Sequence, residues 1–238
     1  QTGTYAMPGF PGRKLYGLTE ETDYRELHDY SAVRHGCNIL RQIASSKQPW
    51  CLYIGIVNPH EPMMVPREFA EMYDPRQIPL PANYHDTMFD KPYLYRKLQK
   101  PWECYSDAEV QEASAYYYAA VTMVDRMFGD VLAVLDETGR RDDTLVLFVS
   151  DHGELLGAHG IFMKGLSAFR EAYEIPAVVR WPKGIKHAGR TVEQFISLAD
   201  FAPTFCELGQ AGNVKLPTGR SLRPLLDDAV PSDWRNEH

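Results

Sequence analysis

The chain has 238 residues, 44% of them hydrophobic and 24% charged, an ordinary globular composition with enough apolar material for a sizeable core. Its net charge of -7, with no polybasic run, argues against a general nucleic-acid surface, and no stretch approaches the roughly 18 to 20 apolar residues of a membrane span. Cys37, Cys51, Cys104 and Cys206 are scattered without zinc-site spacing and are too few for a disulfide scaffold, so they leave the compartment open.

Residues 1–19, rich in Gly, Pro and Tyr without periodicity, read as a surface loop or the tail of a preceding element. A start at Gln1, with nothing resembling a signal peptide after it, raises the expectation of a preceding segment and leaves the localisation unknown. Over residues 29–44 the apolar positions Ala32, Val33, Ile39, Leu40 and Ile43 recur at helical spacing, which predicts an amphipathic helix covering a sheet. Residues 50–57, Trp-Cys-Leu-Tyr-Ile-Gly-Ile-Val, are a continuous apolar run predicted as a buried strand, ended by the polar turn Asn58-Pro59-His60-Glu61-Pro62.

Residues 63–101 carry many prolines and aromatics with no sustained period, and are expected to run over the surface. Ser106, with Glu109 three residues later, is a capping box that opens a long helix. Its inward positions are Ala115, Ala119, Met123, Met127, Val131 and Leu135, and Gly139 closes it. Tyr116, Tyr117 and Tyr118 point in different directions on such a helix, so ordinary packing is the better reading of that triplet.

Residues 144–149 form a second strand buried on both faces, which places Asp151 and His152 at the carboxyl edge of an open parallel sheet, where α/β proteins bind ligands. Residues 175–180 give a further short strand and residues 200–208 a helix. Strands alternating with helices predict one α/β domain over residues 1–238, a three-layer αβα sandwich.

The chemistry concentrates in Ser150-Asp151-His152-Gly153-Glu154-Leu155-Leu156-Gly157-Ala158-His159-Gly160-Ile161-Phe162-Met163-Lys164-Gly165. Asp151 and His152 offer an oxygen and a nitrogen to a divalent metal, with Gly153 allowing the tight turn that aims both at one ion. The same pair could instead be a helix cap and its hydrogen-bonded neighbour. Lys164 could neutralise a sulfuryl or phosphoryl oxygen or assist leaving-group departure, or be a solvated lysine. His60, at the end of another strand, could donate a hydrogen bond or act as general acid, or be structural. His159 could orient substrate or tie the loop together, and Glu154 could hold His152 by its other ring nitrogen.

The run from Ser150 to Gly165 and its continuation through Ile175-Pro176-Ala177-Val178-Val179-Arg180-Trp181-Pro182 resemble the carboxyl-side signature of the sulfatase family. Asn58-Pro59-His60-Glu61-Pro62, Val124-Asp125-Arg126-Met127-Phe128-Gly129, Leu198-Ala199-Asp200-Phe201-Ala202-Pro203-Thr204 and Gly219-Arg220-Ser221-Leu222 extend the resemblance over roughly residues 50–226. It implies an alkaline-phosphatase-like α/β fold and one divalent cation, usually calcium, with magnesium or manganese as alternatives. Asp151 and His152 match its later pair of metal ligands, where many relatives carry Asn in second place. Lys164 and His60 match residues contacting the sulfate ester and its bridging oxygen. The substrate implied is a small-molecule or carbohydrate sulfate ester, without indication of oligomeric state.

The family nucleophile is a hydrated formylglycine made from Cys or Ser in a Cys/Ser-x-Pro/Ala-x-Arg motif, and none of the four cysteines lies in such a motif. Family members place that nucleophile and an acidic metal-binding pair upstream. The 238 residues are therefore expected to be the later part of a sulfatase, inactive and weakly metal-binding alone. A phosphodiesterase or phosphonate monoester hydrolase of the same superfamily, or a non-catalytic module, are the alternatives.

Overall fold

The computed structural model describes residues 5–165, 168–211 and 218–235. The first four residues of the expected opening loop and the chain terminus at His238 lie outside them. In chain order the elements are β1 (Tyr5–Ala6), β2 (Lys14–Leu18), α1 (Tyr30–Ile43), β3 (Met63–Val65), α2 (Arg67–Ala70), α3 (Tyr93–Gln99), α4 (Asp107–Glu137), β4 (Val146–Val149), α5 (Arg170–Tyr173), β5 (Ala177–Arg180), α6 (Phe201–Leu208) and α7 (Arg223–Leu226). They fall into two compact units, one built from residues 1–44, 51–135 and 152–175, the other from residues 45–50, 136–151 and 176–238. No helix among the described residues is long and apolar enough to cross a membrane.

In the first unit, β2 pairs antiparallel with β1 and parallel with β3, with Tyr16 opposite Met63. The opening segment is thus more than a surface loop: Leu15 and Tyr16 are buried because β2 lies between two strands. Helix α4 starts as its sequence demands. The Ser106 N–H donates to Glu109 Oε2 at 2.8 Å while Ser106 Oγ receives the Glu109 N–H at 3.4 Å, which satisfies donors a helix N-terminus otherwise leaves open. Ala115, Ala119, Met123, Met127 and Leu135 are buried as expected and Val131 is half-buried; Gly139 takes φ +69° just beyond the end. Tyr116 and Tyr117 pack against the core while Tyr118 is exposed, as three successive helical positions require.

Residues 63–101 depart from the expected surface excursion. Met63, Val65, Phe69, Ile78 and Met88 are buried, the first two on β3 and the others each on a separate short helix or turn, and anchors so spread leave no sustained period to read. On α1 the buried residues are Val33, Gly36, Cys37 and Leu40, while Ala32, Ile39 and Ile43 are half-buried. Gly36 is there because Ile54 presses on it: a Cβ would meet Ile54 Cδ1 at 2.5 Å.

The predicted strand at residues 50–57 is not a hydrogen-bonded strand. From Cys51 to Val57 the residues alternate exposed and half-buried, with Leu52, Ile54 and Ile56 on the more covered face, so the period of two survives without a ladder. Tyr53 is 89% exposed. A continuous apolar run earns a central-strand reading only where neighbours pair on both sides, and no pairing to this run occurs among the described residues.

In the second unit, β4 and β5 pair antiparallel with Val146 opposite Arg180 and Val149 opposite Ala177. This corrects the expected parallel edge: β4 has one paired neighbour among the described strands, and its four residues are half-buried rather than enclosed. Leu145, Leu147, Val179, Phe201, Phe205 and Leu222 line one apolar cavity, so α6 covers this hairpin. Ser197 and Asp200 form a reciprocal capping box ahead of α6. Burial alone would raise the Asp200 carboxyl, but the Arg235 guanidinium and the N–H groups of Ser197 and Arg220 outweigh it and hold it below the ordinary carboxylate range.

Candidate active site

The site is built first by Asp29, immediately ahead of α1. Its carboxylate accepts the N–H groups of Val57 and Asn58 at 3.0 and 2.7 Å and the Asn58 side-chain amide at 2.9 Å. A carboxylate at a helix N-terminus is also favoured by the helix dipole. This pins the end of the 51–57 run, and the turn continues with cis peptides before Pro59 and Pro62. His60 and Glu61 follow the pinned Asn58 closely.

His60 Nδ1 lies 2.7 Å from the Glu61 carbonyl oxygen. A carbonyl only accepts, so Nδ1 carries the hydrogen and the lone pair sits on Nε2. Lys164 Nζ donates to that Nε2 in a very short contact. The ammonium also lies 3.3 and 3.4 Å from the two Glu61 carboxylate oxygens, and the Glu61 side chain is only 8% exposed. The His152 ring stands edge-on to His60 with 5.9 Å between centroids, and its Nδ1 donates to the Gly153 carbonyl at 2.8 Å. His60, Glu61, His152 and Lys164 therefore form one cluster in the first unit.

Lys164 is delivered by a tightly wound loop. Leu156, Gly157, His159, Gly160 and Met163 all have positive φ, and Leu155, Ala158, Ile161 and Phe162 insert into the core beside Met88 and Trp102. Glu154 closes this loop by accepting the Leu156 N–H at 3.1 Å and the Met163 N–H in a shorter contact. Burial pushes its carboxyl up to about 7, and the nearby Glu61 charge adds to the rise. Glu154 thus serves the loop's backbone, in contrast to the expected partnership with His152, whose Nδ1 is satisfied by Gly153. Gly153 has a reason other than a tight turn: its N–H donates to the Ala172 carbonyl at 2.9 Å, and a Cβ would fall 2.0 Å from the Glu171 carbonyl oxygen.

His159 goes elsewhere. Its Nδ1 donates to Asp86 Oδ2 at 2.7 Å, its Nε2 accepts from the Asn83 amide at 2.9 Å, and its ring stacks on Phe169 with centroids 3.8 Å apart. Asn83 also donates to Glu171 at 2.9 Å. The N–H of Met88 and then His159 hold the Asp86 carboxyl below its ordinary range. Of the two roles open to His159 in the sequence, these contacts fit tying the loop together. Asp151 is exposed just past β4 and belongs to the second unit, whereas His152 belongs to the first.

Sequence reasoning overlooked Asp29, whose signal was an acidic residue directly ahead of a helix, and Glu61, which stood inside a motif otherwise valued for its histidine. Among the described residues no group of three or more His, Cys, Asp or Glu side chains is arranged to hold a metal. One carboxylate and one imidazole fall well short of the six to eight oxygens calcium prefers. The donors present here do not by themselves fit that ion.

A family model described as Sulfatase matches residues 5–211. Multifunctional alkaline phosphatase superfamily protein PehA of Trinickia caryophylli is 33% identical over 208 residues, covering 80% of this chain and 40% of that protein. An arylsulfatase of Clostridium perfringens is 29% identical over 217 residues, covering 86% and 42% respectively. Among solved structures, phosphonate monoester hydrolase SpPMH from Silicibacter pomeroyi is similar at a TM-score of 0.80 and 29% identity, over 89% of this chain and 44% of that one. These likenesses bear out the alkaline-phosphatase-like α/β fold, and the chain spans about two-fifths of the length of the curated relatives it matches. With the match running through both the His60 turn and the Lys164 loop, the chain belongs to the sulfatase family.

Proposed function

We propose that the protein carrying this chain hydrolyses sulfate esters, of a small molecule or a carbohydrate, and that His60 and Lys164 touch the ester. The observation carrying this reading is the direct pairing of the Lys164 ammonium with His60 Nε2, beside His152. An ammonium aimed at a sulfuryl oxygen offsets the charge that gathers there as the ester bond breaks. The His60 imidazole can take a proton from that ammonium on Nε2 and pass the same Nε2 proton to the departing oxygen, which leaves a neutral lysine and returns the imidazole to its starting tautomer. The Glu61 carbonyl fixes the His60 tautomer that this exchange needs.

Asp151 and His152 are proposed as two donors to a divalent cation, calcium being the family expectation, with further donors and the formylglycine nucleophile supplied by residues outside this sequence. Such a cation would stabilise negative charge on the ester oxygens. His159 is proposed to support the loop rather than to touch substrate, since its hydrogen bonds go to Asp86 and Asn83.

A second reading, hydrolysis of phosphonate monoesters or phosphate diesters, is favoured by the TM-score of 0.80 to the Silicibacter pomeroyi enzyme. All three ester types carry one negative charge on a tetrahedral centre, so the same acid, and a cation where one is bound, would suit each. The test is turnover by the full-length protein of an aryl sulfate, an aryl phosphonate monoester and an aryl phosphate diester, with and without chelator. The highest kcat/KM on the sulfate, lost on chelation, supports the first reading. Highest turnover of a phosphorus ester supports the second, and no turnover of any supports a non-catalytic module.

A further inference from the structure

Glu61 places a buried carboxylate where an anion-binding site calls for positive charge. Its side chain is 8% exposed, its oxygens lie 3.3 and 3.4 Å from Lys164 Nζ, and Oε2 lies 3.4 Å from His60 Nδ1. Burying a carboxylate carries a desolvation cost, which at Glu61 the Lys164 ammonium offsets. A glutamine of the same shape could accept the same ammonium hydrogen bond without the charge. Packing therefore does not require an acid at this position, whereas electrostatics distinguishes acid from amide sharply.

We propose that Glu61 sets the charge selectivity of the site, tuning it to tetrahedral esters with a single negative charge and against phosphate monoester dianions. The inference rests on the reading of Lys164 and His60 as the groups that meet the ester. Lys164 attracts the first charge of any anion; the second charge of a dianion finds the cation already compensated and a carboxylate beside it. A sulfate monoester, a phosphate diester and a phosphonate monoester each escape that repulsion. Glu61 acts through the field it imposes and through the position it gives Lys164, so it is a specificity-determining residue and need not touch the substrate.

The test measures binding of p-nitrophenyl sulfate and p-nitrophenyl phosphate to the full-length protein by calorimetry, in mildly alkaline buffer where the phosphate is a dianion. Wild type, Glu61→Gln and Glu61→Asp are compared, and turnover of the sulfate is followed separately. Glu61→Gln is expected to raise the phosphate-to-sulfate affinity ratio about tenfold, the size of one unit-charge interaction at a partly buried site. Glu61→Asp, which keeps the charge, should hold the ratio within about twofold of wild type. If Glu61→Gln does not fold, Lys164→Met reads the same field: with the ammonium gone and the carboxylate retained, the ratio should fall. An unchanged ratio in Glu61→Gln, a rise in Lys164→Met, or a wild type that binds neither probe overturns the inference. Selective binding without sulfate turnover would sustain it and refute the hydrolase reading instead.

Discussion

Gly153→Ala tests whether the backbone around His152 is packed as described. The Cβ introduced would lie 2.0 Å from the Glu171 carbonyl oxygen, 3.0 Å from its carbon and 3.2 Å from Ala172 Cα. These are backbone atoms, so no rotamer change relieves the overlap, and the two segments must part by about 1 Å to reach the closest contact real Cβ atoms show. That separation stretches the 2.9 Å bond from the Gly153 N–H to the Ala172 carbonyl, worth about 1 kcal/mol. Overpacking adds about 1–3 kcal/mol, for a total loss of about 2–4 kcal/mol. Gly153 lies outside the left-handed region, so backbone strain contributes nothing to that sum. Equilibrium urea unfolding of the variant beside wild type reads the difference as a shift in midpoint. A loss below about 0.5 kcal/mol would refute the close approach of residues 153 and 171.

Glu154→Gln should reshape the pH dependence of stability. The folded carboxyl, pushed up to about 7 from an ordinary 4.5, holds its proton more tightly than the unfolded one, so stability is greatest below 4.5 and declines as pH rises through about 7. Across that window wild type should lose on the order of 3 kcal/mol that the glutamine variant does not; parallel melting curves at both ends would disprove the buried acid. Ser106→Ala removes the hydroxyl half of the α4 capping box and should cost about 1 kcal/mol in thermal unfolding while leaving turnover unaltered. No loss of stability would mean that the box does not anchor the helix.

The long elements were legible because their signals are local. The Ser106–Glu109 box and the spacing of Met123 and Met127 need only one helix to be meaningful, and the structure returns both. The 51–57 run shows the other case: apolar continuity reports that a segment wants cover without naming what pairs with it. Residues 63–101 hid their role because Phe69 and Met88 are isolated anchors at irregular spacing. At the site, His60 and Lys164 were legible by type, 104 positions apart, but their contact is a product of the fold. Glu61 went unread because a carboxylate next to a histidine in a proline-rich turn has no sequence signature of burial; only the approach of Lys164 gives it one. Gly153 was noticed for its freedom, whereas its need comes from a backbone segment some eighteen residues later.

The central claim is that His60 and Lys164 act as a pair on the ester, and the most direct measurement is kcat/KM for an aryl sulfate in the full-length protein carrying His60→Ala or Lys164→Ala. Each change should lower it by about 10²–10⁴-fold, the scale of a lost general acid or charge-stabilising group, with the double variant little worse than the poorer single one because the two act as a unit. Turnover within about twofold of wild type in both single variants would contradict the account.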